Sequence, residues 1–165
     1  MRLALAVLAL ASLTACSGSA ADPKALATEA SAALSKGDYA TAQAKAEQGL
    51  TAPGAAADKA TAWTLERIRL EALAGKGEVT AVLTGLTKLA GDYATQVNAD
   101  LYAKLGKLVA DAGKLAEAID LVEAGKQAFP DKVAAFDGLV ASIKEAASAG
   151  GDSAAVEKLK ALGYL

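Results

Sequence analysis

The chain of 165 residues has no histidine, one cysteine, three prolines and few aromatic residues, which make up 4% of it. Without imidazole the commonest general base is missing. Ser-His-Asp triads, Cys-His pairs and histidine-bound zinc are therefore excluded. A lone cysteine forms no disulfide within the chain. The shortage of large rings leaves a thin core, built helix against helix through small contact residues. An excess of positive charge is lacking too, since 17 basic residues face 19 acidic ones. With no basic patch, nucleic acid is not expected as a partner. Carboxylates remain for chemistry. Glu66 with Glu71, and Glu117 with Asp120, can share helix faces, yet charged helix residues are ordinarily a solvated surface. No acidic loop has the spacing of a calcium site. Neither a metal nor another cofactor is expected, and no catalytic activity.

Alanine is abundant instead. Roughly a quarter of the residues are alanine, far above ordinary usage. Alanine is the best helix former and loses no side-chain entropy on ordering. Glycine-containing breaks punctuate the helical patterns at 36–37, 52–54, 75–77, 91–92, 112–113 and 150–151, with a proline break at 129–130. The spacing predicts helices over 23–35, 38–50, 56–74, 78–90, 95–111, 115–128, 131–148 and 152–162. Asp22-Pro23 opens the first of them well, because aspartate caps free N–H groups and proline suits the first turn. No stretch alternates β-branched residues with period two, so no strands are expected. Gly75-Lys76-Gly77-Glu78 precedes a helix that could hold an anion. It lacks the rest of a phosphate loop, and a plain turn is expected there.

The amino terminus reads differently. Met1-Arg2-Leu3 leads into an apolar run, which ends at Leu13-Thr14-Ala15-Cys16. A cationic start, an apolar core and small residues before a cleavage point are the anatomy of a secretory signal. The run is too short to cross a membrane, which takes about 20 residues. Leu13-Thr14-Ala15-Cys16 resembles the bacterial lipobox. The resemblance implies cleavage of residues 1–15, lipidation of Cys16 and a linker over 16–22. It implies a mature domain over 23–165 tethered to a membrane of the bacterial envelope. Ser17 after the cysteine resembles an outer-membrane address facing the periplasm.

The residues from 99 to 131 carry a second resemblance. Tyr102, Leu105, Gly106, Val109, Gly113, Ala118, Val122, Gly125 and Pro130 are spaced as in the tetratricopeptide repeat. Gly106, Ala118 and Gly125 would let backbones approach, while Tyr102, Leu105, Val109 and Val122 fill the gaps. Ala118 is expected at a helix crossing, and Ala116 away from it. The stretch 35–42 resembles the turn of another unit, with Ala42, Ala46 and Gly49 at small positions. A middle unit turns at Gly77-Glu78-Val79, has Leu70, Leu73, Val82 and Leu86 at core sites, and lacks the Leu-Gly pair. The resemblance implies an all-α, short α-solenoid of about four antiparallel helix hairpins, with 133–162 as the cap.

In such arrays the first helix of each pair lines a groove. The register places Lys24, Thr28 and Ser31 there from the first unit, and Thr64, Arg67 and Glu71 from the second. Asp100, Lys104, Lys107 and Asp111 come from the third. Arg67 and Glu71, at i and i+4, read as a mutual surface pair. Trp63, the only tryptophan, reads as packing rather than a ligand anchor. The resemblance implies a lipid-anchored module that holds a protein or peptide partner, as an adaptor or assembly factor of an envelope complex. The competing class is a small-ligand binder or a carboxylate enzyme using Tyr39, Tyr93 or Tyr102. A closed pocket with buried carboxylates would favour the second class, and an open polar groove the first.

Overall fold

The structure, a computed structural model, describes residues 21–165. The expected signal segment, Cys16 and most of the linker lie outside the described residues. All regular structure among the described residues is helical. The eight α-helices are α1 (Pro23–Ser35), α2 (Tyr39–Thr51), α3 (Lys59–Gly75), α4 (Val79–Asp92), α5 (Ala99–Asp111), α6 (Leu115–Ala128), α7 (Asp137–Gly150) and α8 (Ser153–Ala161). Two 3₁₀ segments, Ala55–Ala57 and Pro130–Phe136, complete the order.

Local chemistry explains where these helices begin. Asp22, Asp38, Asp58, Asn98 and Asp152 each accept a backbone N–H of the first turn that follows. Such caps satisfy donors that have no partner within the helix. Two expected boundaries move for this reason. The fifth helix starts at Ala99 rather than at 95, because the Asn98 carboxamide accepts Leu101 N–H at 2.9 Å. The seventh starts at Asp137 rather than at 131, because Lys132 leaves helical geometry and the chain after Pro130 winds as 3₁₀. Three hairpin turns share one construction. After α1, α3 and α5 a glycine adopts positive φ, at Gly37, Gly77 and Gly113. The next N–H then returns to a carbonyl five residues back: Asp38 to Ala33, Glu78 to Leu73 and Lys114 to Val109. Turns this short fold successive helices back on one another.

Packing joins these pairs side by side. α1 and α2 pack closely, and α3 lies against both. α5 packs on α3 and on α6, while α6 also meets α7 and α8. α3 touches α2 more extensively than its own hairpin partner α4. The core divides into two clusters. One is mostly alanine: Ala27, Ala30, Ala33, Ala42, Ala46 and Ala72, closed by Leu65 and Ile68. The other is built of leucine, valine and isoleucine around Tyr102 and Phe136, and runs from α3 to α8. Ala118 is fully buried in it, as are Leu105 and Val109. Gly106 departs from the expected role. A Cβ there would lie 2.7 Å from Leu139 of α7, with the Ala118 carbonyl farther off at 3.9 Å. Its missing side chain makes room for the next helix pair more than for its own.

Candidate functional site

Polar stripes emerge on three neighbouring helices. The buried faces of α1, α3 and α5 are set by Leu26, Ala30 and Ala33, by Leu65, Ile68 and Ala72, and by Leu101, Leu105 and Val109. Helical periodicity puts polar residues on the other side. Lys24, Thr28 and Ser31 are exposed on α1, and Asp100, Lys104, Lys107 and Asp111 on α5. Thr64 and Arg67 are half-buried on α3. Glu71 corrects the expectation of a surface pair: it is 4% exposed. Arg67 Nη1 donates to its Oε1, and Lys104 Nζ reaches the same oxygen at 2.7 Å from α5. A carboxylate out of water needs such partners. Two cations sharing one anion leave the junction of α3 and α5 with a net positive charge.

The rest of the stripe is locally paired. Lys107 Nζ binds both carboxylate oxygens of Asp111 at 2.8 and 2.7 Å. Lys24 pairs with Asp58, the cap of α3, at 3.3 Å. The hydroxyls of Thr28 and Thr64 donate to the carbonyls of Lys24 and Ala60, four residues back. Thus Arg67, Glu71 and Lys104 are brought together, and Lys24 meets the start of α3. No bond joins Thr28 or Ser31 to the other stripes.

The other candidates disperse. Glu66 forms a fork with Arg69 Nε and Nη2 at 2.9 and 2.8 Å, so Glu66 and Glu71 answer to different cations. Asp120 pairs with Lys158 of α8. Lys76 in the Gly75–Gly77 turn pairs with Glu78 and donates to Gln43 at 2.9 Å. The Tyr39 ring covers Gly75, where a Cβ would collide with it. Tyr102 is buried edge-on to Phe129, with centroids 5.8 Å apart. Burial pushes its hydroxyl above the ordinary tyrosine range.

A recess beside α3 and α4 was not foreseen. It encloses about 750 Å³ and is lined by Lys59, Trp63 and Thr64 of α3, by Gly91 and Asp92 of α4, and by the turn from Tyr93 to Gln96. Trp63 and Tyr93 are half-buried, with ring centroids 5.1 Å apart and planes tilted by 41°. Burial pushes the Tyr93 hydroxyl up, reinforced by the charges of Glu66 and Asp92. A smaller cavity of about 280 Å³ adjoins it and shares Lys59, Asp92 and Tyr93. The signal for this recess was Trp63 itself. Its partner Tyr93 follows α4, and only the folded turn brings the rings together.

Among the described residues no helix is long and apolar enough to cross a membrane. No group of acidic or sulfur side chains among them has the geometry to hold a metal ion. Comparison with known protein families, with curated proteins and with solved structures finds no match to this chain.

Proposed function

We propose that this chain is a lipid-anchored protein of the bacterial envelope, held at the membrane through Cys16 and facing the periplasm from the outer membrane. In this reading its hairpins stack as a short tetratricopeptide-like solenoid, with α7 and α8 as the cap. The face shared by α1, α3 and α5 holds a protein or extended-peptide partner, and the chain acts as an adaptor or assembly factor. The observation that carries the reading is the link from Glu71 on α3 to Lys104 on α5. It aligns the polar stripes of successive hairpins into one surface. The similar hairpin turns at Gly37, Gly77 and Gly113 support the repeat, and Leu13-Thr14-Ala15-Cys16 supports the anchor.

Two measurements test it. Fatty-acid labelling should mark the wild-type chain and leave Cys16→Ser unmarked; equal labelling removes the anchor. A photo-crosslinker at exposed Lys107 should give one discrete adduct in the native envelope. The same group at exposed Thr84 on α4 should not. Identical adducts from both positions remove the binding face.

A further inference from the structure

We propose that the recess at Trp63 and Tyr93 is a saccharide-binding site, with the two rings as platform and Asp92, Lys59 and Gln96 as hydroxyl partners. This stands apart from the proposal for the α1–α3–α5 face and holds whether or not that face takes a protein.

Size comes first. A recess of about 750 Å³ falls within the range of about 300–1,000 Å³ typical of small-ligand sites. The rings come next. Phe136 is fully buried and Tyr102 nearly so, as aromatic groups serving only the core would be. Trp63 and Tyr93 instead keep part of their surface on the recess wall. Their 41° tilt makes an apolar corner instead of a closed stack.

Charge then selects the ligand. Lys59 and Asp92 both line the recess, and neither forms an ion pair among the described residues. One cation and one anion favour no ion of either sign. A quaternary ammonium would suit the rings, but the Lys59 ammonium opposes it. A free anion meets the Asp92 carboxylate. The groups that remain are hydrogen-bonding ones. The Thr95 hydroxyl donates to Gln96 Oε1 at 2.7 Å, which leaves the Gln96 amide protons as donors. Asp92 accepts, Lys59 donates, and the Tyr93 phenol stays protonated. A neutral molecule with many hydroxyls and one apolar C–H face satisfies all of these at once, and a sugar ring is that molecule.

Two features make the test clean. Trp63 is the only tryptophan, so its emission reports the recess alone. A Cβ added at Gly91 would meet nothing within 4 Å, so a long side chain there fills the recess without disturbing the fold. The full chain is titrated with maltotriose, cellotriose and chitotriose to millimolar concentration, with tetramethylammonium chloride as the cationic control. The expected result is a saturable change in Trp63 emission with at least one trisaccharide. Affinity should fall at least about tenfold in Gly91→Gln and in Asp92→Ala, with both variants melting where the wild type does. A lowered melting temperature in Asp92→Ala leaves Gly91→Gln to decide. The proposal is overturned by the absence of a saturable response to all three sugars. It is equally overturned by a response that Gly91→Gln leaves intact, or by a response to tetramethylammonium alone.

Discussion

The two clusters of the core hold helices together by opposite means. Between α1, α2 and one side of α3, the contacts are methyl groups from Ala27, Ala30, Ala33, Ala42 and Ala46. The backbones come close, and each residue removes little apolar surface from water. From the other side of α3 onward the contacts are Leu70, Leu86, Leu105, Leu121, Ile143 and Phe136. Buried area is larger there, at roughly 25 cal/mol per Å², and close approach is confined to glycine sites such as Gly125, where a Cβ would strike the Phe136 ring. The alanine region should therefore be damaged by added volume, and the leucine region by lost volume.

The largest expected effect lies in the second region. Phe136 is fully buried, and Phe136→Ala should cost about 3–5 kcal/mol through lost burial and the cavity left behind. Urea denaturation measures it; a loss under about 1 kcal/mol would mean that the niche over Gly125 collapses freely. Next comes added volume in the alanine region. Ala46 is fully buried, so Ala46→Leu should cost about 1–3 kcal/mol. Ala44 is exposed on the same helix, and Ala44→Leu should be nearly neutral. Equal effects at the two positions would erase the contrast. Ala118→Leu, buried in the leucine region, should behave like Ala46→Leu. Ala116 is a poor control for it, being half-buried with its carbonyl accepting Lys158 Nζ at 2.9 Å.

Helix caps should ignore the contrast. Asp38 serves the alanine region and Asn98 the leucine region, each accepting one backbone N–H, at 3.1 and 2.9 Å. Replacement of either by alanine should cost about 1 kcal/mol, measured as the difference in melting free energy. A clear inequality would show that the core feeds into its caps.

The smallest effects come from pH, and they separate the regions by sign. The Thr41 hydroxyl and amide hold Asp38 below the usual carboxylate range, and the Thr61 amide and hydroxyl, with Lys24, do the same for Asp58. A lowered folded pKa stabilises above the ordinary carboxylate value and is lost as pH falls through the folded one. Burial pushes Tyr102 and Tyr164 up, with Glu123 adding to the shift at Tyr164. A raised folded pKa stabilises below the ordinary tyrosine value and is lost as pH rises through the folded one. Acid should therefore loosen the start of α2 and α3, while alkali loosens the far end. Hydrogen exchange at pH 4 and intrinsic tyrosine absorbance above pH 10 measure the two. Tyr164→Phe should flatten the alkaline loss and leave the acid one unchanged.

Much of the helical order was legible before folding, because its signals are local. Asp22-Pro23 and the turn glycines act on neighbours a few residues away, and α1 runs over the residues expected from them. Asn98 was equally local, and α5 could have been bounded by it. The surroundings of Glu71 were not legible. Arg67 lies on its own helix, but Lys104 arrives only when α5 packs against α3. The recess was hidden for the same reason, since Trp63 and Tyr93 belong to different elements and meet through a turn. Nor did Gly106 disclose that its empty side faces Leu139, which depends on where α7 docks.

One helix belongs to both regions. Leu65, Ile68 and Ala72 of α3 close the alanine cluster, while Leu70, Leu73 and Ala74 of the same helix open the leucine cluster. A party wall of this kind cannot be withdrawn from one room while it stands in the other. The strong region thereby lends its stability to the weak one, and neither has a boundary at which to melt alone. Heating followed by circular dichroism should show a single sigmoidal loss of helix, and two separated steps would mean that the wall divides.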